Sequence, residues 1–184
     1  HNENGLISDI NCSFFDHIIS ANRLLRKEFG FNQTTESMLN LASNAIEEVL
    51  SKEEDPLCVV LGFGEMGRKA VEVLLLQGQE NITVFSRNPK TASQRDLELS
   101  SRVNILSFNH WEEQDIMPSL IISTIRNIEP TFNSSNIIPV SKSVKIMDFS
   151  WPPSIDSSGI NGEQELLGME YWIKVAHKLG VEWD

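Results

Sequence analysis

The stretch that decides the fold is "VVLGFGEMGRKAVEVLLLQG", Val59–Gly78. It opens with an apolar run, breaks at glycines spaced G-x-G-x-x-G, and continues with a helical repeat of apolar residues. Gly62 suits a tight turn, Gly64 suits close approach of a ligand to the backbone, and Gly67 suits close packing of helix on strand. This order is typical of dinucleotide-binding domains. The alternative is a glycine-rich turn in an α/β domain that holds no nucleotide.

Apolar strand-like runs continue to alternate with helical or loop-like segments after this unit. Short strands that are apolar throughout are expected when both faces of a parallel sheet are covered. The pattern predicts an α/β fold with a Rossmann-type doubly wound, mainly parallel sheet. The predicted strands are 57–62, 81–87, 103–108, 119–125 and 143–150, with a helix over 65–77 and one more helix in the tail from residue 161.

Two amphipathic helices are predicted before the first strand. The first covers Ser13–Phe29, and the second is capped by Thr34 or Thr35. The sequence "EEDP", residues 53–56, breaks the helical pattern. We therefore divide the chain into a helical extension or linker, 1–54, and a Rossmann domain, 55–184. The second helix has an apolar face formed by Met38, Leu41, Ala42, Ala45, Ile46 and Val49.

The overall composition restricts the classes of partner. The 184 residues carry 15 Lys and Arg against 26 Asp and Glu, a net charge of −11, which disfavours binding of RNA by the chain as a whole. No apolar run approaches a membrane span, so no membrane partner is predicted. Cys12 and Cys58 form neither a disulfide framework nor a metal site, which suits a cytoplasmic location. Cys58 starts a strand and is expected in the core.

The end of the second strand indicates which dinucleotide is preferred. An NAD site usually has Asp or Glu there, bound to the ribose 2′-hydroxyl, whereas "FSRNPK", residues 85–90, has neither. Arg87 can make a two-pronged contact with a 2′-phosphate, to which Ser86 and Lys90 can add. NADPH is therefore the predicted cofactor. The alternative is that Arg87 is a solvated loop cation.

Two later segments reach the same edge of the predicted sheet. Ser123 and Thr124 leave the fourth strand at its carboxyl end, where ligands bind in such folds, and are predicted to contact the cofactor. Hydroxyls that merely cap a strand end are the alternative. Asp148 precedes "FSWPPSID", a loop made rigid by two prolines, and either orients that loop or lines the cleft.

Leu57–Arg87 resembles the NADPH-binding domain of glutamyl-tRNA reductase. That family has a V-x-G-x-G-E-M-G turn, and Glu65 and Met66 match it more specifically than the glycines do. "LIISTI" is similar to the family's I-S-A-T loop. "KIMDFSWPPSID" is similar to its I-D-L-A-x-P-R-D-I-D segment, although the Arg is replaced. Together with upstream helices that resemble the family's linker, the resemblance covers about residues 14–160.

The resemblance implies that the glycine turn, with Glu65 and Met66, binds NADPH. In the full enzyme a Cys thiolate forms a thioester with the glutamyl group of glutamyl-tRNA, and hydride from NADPH releases glutamate-1-semialdehyde for tetrapyrrole biosynthesis. The family's T-C-N-R nucleophile motif does not occur here, and "NCSF" around Cys12 lacks the Thr and the Asn-Arg. No catalytic residue is therefore assigned.

The chain alone is expected to bind cofactor without turnover, and to meet glutamyl-tRNA only through a missing domain. A homodimer is expected of a full-length form. Because the chain begins "HNENG" and lacks the catalytic domain, it is either a fragment or a shortened relative. A shortened relative would be a small NADP-dependent reductase of a free metabolite or a non-catalytic nucleotide-binding module.

Overall fold

The computed structural model describes residues 31–111, 116–140 and 143–178, with side chains described from residue 38 onward. The predicted helix Ser13–Phe29 and Cys12 lie outside the described residues, as does the acidic end of the tail. The helices are α1 (Phe31–Leu50), α2 (Glu65–Leu76), α3 (Pro89–Arg95), α4 (Leu97–Ser100) and α5 (Met169–Lys178). The strands are β1 (Cys58–Leu61), β2 (Ile82–Ser86), β3 (Asn104–Ser107), β4 (Leu120–Ser123), β5 (Lys145–Asp148) and β6 (Glu165–Leu167).

The six strands form one sheet in the order β3-β2-β1-β4-β5-β6, and each neighbouring pair is parallel. Cys58 lies opposite Ile82 on β2 and Leu120 on β4, which places β1 at the centre. The chain builds outward from β1 to β3, then crosses back to β4. This reversal makes the carboxyl ends of β1 and β4 the point where ligands bind in open α/β sheets. The predicted Rossmann-type fold is confirmed.

Helices cover one face of the sheet. Alternate strand residues such as Val60 and Ile122 pack there against α1 and α2, in a core that also includes Trp172 of α5. Side chains of α1 therefore belong to the same core as the sheet, although they precede residue 54. The division at residue 54 stays a prediction.

The second face is covered mainly by loops. Val59, Phe85 and Ile121 point to this face and pack against Trp111 and Phe132. The Trp111 ring stacks on Phe85 at a centroid distance of 4.8 Å and meets Phe132 edge-on at 5.8 Å. Between β3 and β5, the described residues contain a 3-10 turn, Phe108–His110, and no α-helix. Large aromatic rings thus supply the apolar area that a helix would otherwise bury.

Two sequence predictions about secondary structure are wrong. The tail was expected to be a single helix, but Glu165–Leu167 forms a sixth strand beside β5 before α5 begins. The second helix was expected to begin at Thr34 or Thr35, but α1 already includes Phe31. On the buried face of α1, Leu39 is buried while Leu41 is half-buried. None of the described helices is long and apolar enough to cross a membrane.

Candidate functional site

A cleft of about 360 Å³ lies at the carboxyl ends of β1, β2 and β4. The glycine loop, residues 62–66, lines its centre. The β2 wall, defined as the last residue of β2 and the lining residues that follow it, lies on one side, and the β4 wall, Thr124–Arg126, lies on the other. The β2 wall consists of Ser86, Arg87, Asn88, Thr91, Ala92 and Arg95, and Phe108 adds an aromatic ring from the end of β3.

Gly62 makes the turn out of β1. Its φ is +94°, in a region that side chains other than glycine's rarely adopt. Its amide donates to the carbonyl of Phe85 at 2.8 Å, which ties the turn to β2. A Cβ here would also lie 3.1 Å from Oγ1 of Thr124. The backbone path into the cleft therefore requires glycine at this position.

Gly67 lets α2 lie directly on the turn. A Cβ built on Gly67 would be 2.1 Å from the carbonyl oxygen of Gly62, far inside van der Waals contact. Gly64 is different, because a Cβ there would have no atom within 4 Å. Gly64 is the N-cap of α2 and offers no side-chain cap to the first-turn amides. These amides at the start of a 12-residue helix are therefore available to an anion.

Thr124 links the β4 wall to the glycine loop. Its Oγ1 donates to the carbonyl of Leu61 at 3.0 Å and lies 3.4 Å from the carbonyl of Gly62, while its amide donates to Leu61 at 2.9 Å. Thr124 thus both lines the cleft and fixes the relative position of two of its parts.

Two predicted contact residues, Ser123 and Lys90, are not among the residues that line the cleft. Ser123 is fully buried, with its Oγ 2.6 Å from Oγ of Ser154. Because the Ser154 hydroxyl donates its hydrogen to Asp148, Ser123 must be the donor to Ser154. The Ser123 hydroxyl is thereby used inside the protein, which differs from the predicted cofactor contact. Lys90 is exposed on α3 and is not among the residues that line the cleft, so its contact stays a prediction.

Asp148 orients the loop that follows β5. Its buried carboxylate accepts hydrogen bonds from the amides of Ser150, Ser154 and Ile155 at 2.8–3.1 Å, and from the Ser154 hydroxyl. This decides between the two interpretations of Asp148 in favour of positioning the loop.

Farther along, hydrogen bonds from the amide and hydroxyl of Ser158 hold the pKa of exposed Asp156 below its usual value.

The cleft is basic although the protein is strongly acidic. Arg87, Arg95 and Arg126 line it, together with a single carboxylate, that of Glu65, in a chain of net charge −11. None of the three arginines has an ion-pair partner within the described part of the chain. Sequence reasoning missed Arg95 and Arg126. Arg95 lies one helical turn after Thr91 on the same face of α3, so recognising a helix over 89–95 would have placed it beside the end of β2.

The described residues contain no group of three His, Cys, Asp or Glu side chains that could hold a metal ion. Burial raises the pKa of the Cys58 thiol to about 12, so this thiol is not a nucleophile at neutral pH. The side chains that line the cleft are suited to holding a phosphate-rich ligand.

Comparisons with known proteins agree with this geometry. The family model described as "Shikimate / quinate 5-dehydrogenase" matches residues 40–165. A glutamyl-tRNA reductase of Saccharolobus islandicus is 23% identical over 152 residues, which cover 83% of this chain and 33% of that protein. The chain thus spans about a third of the length of the curated relatives it matches, and the predicted resemblance to that family is confirmed.

Solved structures show the same fold. The nucleotide-binding domain of glutamyl-tRNA reductase from Thermoplasma volcanium superposes with a TM-score of 0.58 at 11% identity, covering 78% of this chain and 93% of that domain. Quinate dehydrogenase from Corynebacterium glutamicum, solved in complex with NAD, superposes with a TM-score of 0.52 at 14% identity, covering 80% of this chain and 58% of that chain.

Proposed function

Because the chain belongs to the shikimate / quinate 5-dehydrogenase family, we propose that its glycine-loop cleft binds a nicotinamide dinucleotide. The observation that carries the proposal is the open space at Gly64, beside uncapped helix amides, in a cleft lined by three arginines. A pyrophosphate placed on those amides gains their hydrogen bonds and the favourable end of the α2 dipole. When bound, the cofactor would supply hydride chemistry.

Calorimetric titration with NADPH tests the proposal. Saturable binding is expected for the wild type and its loss for Gly64→Val, because the valine side chain would occupy the space left for the pyrophosphate. Gly162→Val is a matched control, since a Cβ there also meets no atom within 4 Å and Gly162 lies outside the cleft. Absence of saturable binding at millimolar NADPH would refute the proposal.

The same cleft favours NADPH over NADH. The β2 wall carries Arg87 and Arg95 and no carboxylate, so it can pair with a 2′-phosphate. Hydrogen bonds to charged groups contribute about 1.5–3 kcal/mol each, and solvent exposure lowers this. A preference of about tenfold to hundredfold is expected, at 1.4 kcal/mol per decade.

Arg87→Ala tests the preference. It should weaken NADPH far more than NADH, and raising the salt concentration should narrow the gap between the two cofactors. Arg102→Ala removes the same charge from an exposed position outside the cleft and should leave the ratio unchanged. Equal loss of both cofactors in Arg87→Ala would show that this residue does not distinguish them.

We further propose that the chain is the cofactor domain of a glutamyl-tRNA reductase that serves tetrapyrrole biosynthesis in the cytoplasm, as a homodimer when full-length. The resemblance of the Glu65–Met66 turn to that family's glycine turn and the similarity of 83% of this chain to the Saccharolobus islandicus reductase support this role. The chain alone should form no glutamate-1-semialdehyde from glutamyl-tRNA and NADPH, because its sequence lacks the T-C-N-R motif. Product formation by this chain would contradict that expectation, and its loss in Cys12→Ser would identify Cys12 as the nucleophile.

Membership of the family favours one alternative function. The family description names dehydrogenases of shikimate and quinate, so a small NADP-dependent oxidoreductase of a free hydroxy acid is the second candidate. Measuring NADP⁺ reduction with shikimate or quinate distinguishes the two functions. Turnover by the chain alone would favour this candidate, whereas binding without turnover favours a cofactor domain or a non-catalytic nucleotide-binding module.

A further inference from the structure

Arg126 follows a point where the β4 wall is hydrogen-bonded to β1. Two residues before it, Thr124 is fixed to β1 by hydrogen bonds from its amide and its hydroxyl to Leu61. One residue after it, the amide of the Asn127 side chain donates to Oγ1 of Thr131 at 2.8 Å. The backbone just before Arg126 is therefore held against β1, while the Arg126 side chain is exposed and lines the cleft.

The strand order places Arg126 away from the adenosine half of a dinucleotide. In this fold the end of β2 contacts the adenosine ribose, and the start of the helix after β1 contacts the pyrophosphate. β2 and β4 flank β1 on opposite sides. Arg126 therefore lies on the side of the glycine loop opposite to Arg87, away from the position that a 2′-phosphate takes in this fold.

The positive charge at the glycine loop alone does not balance the charge of a bound pyrophosphate, so an arginine nearby can contribute to binding. The N-terminus of α2 presents about half an elementary positive charge, which offsets only part of the negative charge on the two ionised phosphates of a dinucleotide. The carboxylate of Glu65 also lines the cleft and adds a negative charge. No described carboxylate is paired with Arg126. A guanidinium, whose planar fork matches two phosphate oxygens, supplies the missing charge and geometry.

We propose that Arg126 binds the cofactor pyrophosphate from the β4 wall, opposite the amides of Gly64–Met66. This inference rests on the proposed function that the cleft binds a dinucleotide. It assigns separate phosphate groups to the two walls: the 2′-phosphate to Arg87 and the pyrophosphate to Arg126. The two arginines should then differ in which ligands they affect.

Calorimetry with NADPH, NADH, ADP-ribose and adenosine 2′-monophosphate tests this assignment. Arg126→Ala should weaken NADPH, NADH and ADP-ribose by a similar factor of about tenfold and leave adenosine 2′-monophosphate unchanged. Arg126→Lys should lose less affinity than Arg126→Ala, because lysine keeps the positive charge but lacks the planar guanidinium that can bond two phosphate oxygens. Arg87→Ala should give the opposite pattern, with NADPH and adenosine 2′-monophosphate weakened and ADP-ribose unchanged.

The outcomes separate this inference from the function on which it rests. If the wild type binds no dinucleotide, the proposed function fails. If the wild type binds and Arg126→Ala binds ADP-ribose equally well, only the role of Arg126 is overturned. Weakening of adenosine 2′-monophosphate to the same degree as ADP-ribose would also overturn it, because Arg126 would then contact the adenosine half. Arg102→Ala controls for charge, and equal urea midpoints control for folding.

Discussion

Replacing Gly67 by Ala perturbs the packing of α2 on the turn after β1. The new Cβ would lie 2.1 Å from the carbonyl oxygen of Gly62 and 2.9 Å from its carbonyl carbon. Both clashing atoms belong to the backbone of Gly62, whose amide donates a hydrogen bond to Phe85. Moving the turn to relieve the clash would therefore cost free energy. Overpacking typically costs about 1–3 kcal/mol, and backbone obstruction belongs at the upper end.

The net effect includes an opposing contribution. Alanine is favoured over glycine inside a helix by about 1 kcal/mol. Subtracting this from about 3 kcal/mol leaves a loss of about 2 kcal/mol in the free energy of unfolding. With a urea m-value of about 2 kcal/mol/M for a chain of this size, the midpoint should fall by about 1 M.

Urea unfolding followed by circular dichroism measures this shift. Gly64→Ala is the matched control within the same loop, because its Cβ meets no atom within 4 Å and its φ is −73°. It should change stability by about 1 kcal/mol or less, the cost of a weaker N-cap. If Gly67→Ala were as stable as the wild type or more stable, close packing of α2 on Gly62 would be refuted.

Four further predictions concern other parts of the molecule. Asp148→Asn should lower the free energy of unfolding by about 2 kcal/mol or more, because one amide oxygen cannot accept all four hydrogen bonds of the buried carboxylate. Urea unfolding measures this loss of stability. The pKa of Cys58 rises from 9.0 to about 12 on folding, so its contribution to the free energy of unfolding is complete below pH 9 and is lost as pH rises toward 12. Urea unfolding measured against pH should show this decline in the wild type. The decline should be absent in Cys58→Ala. In Cys12→Ser, the remaining thiol should react with a thiol reagent only after unfolding. Arg95→Ala should weaken NADPH about threefold without affecting NADH, a smaller effect than that of Arg87→Ala, and unchanged NADPH affinity would contradict a role for Arg95.

The sequence predicts best where structure depends on neighbouring residues. β1, the glycine turn and α2 form one local unit, and its apolar run, glycine spacing and helical repeat all lie within 20 residues. β6 escaped prediction because it has only three residues and obtains its partners from β5. Such short pairings are determined by the sheet and not by local preference.

The walls of the cleft depend on strand order, which a sequence pattern does not specify. Arg126 faces the glycine loop only because β4 pairs with β1, and this pairing spans more than 60 residues. The Ser123 hydroxyl was predicted to contact the cofactor. In the structure it donates a hydrogen bond to the buried Ser154 hydroxyl, which in turn donates to Asp148. A hydroxyl at a strand end has several partners within reach, and packing between distant loops selects among them.

Amide chemical-shift mapping of the ¹⁵N-labelled chain tests dinucleotide binding in the glycine-loop cleft most directly. NADPH and NADH should both shift the amides of Gly64, Glu65 and Met66, and only NADPH should strongly shift the amides of Arg87 and Asn88. Saturable shifts confined to residues outside the cleft, or no shifts at millimolar NADPH, would contradict binding at this site.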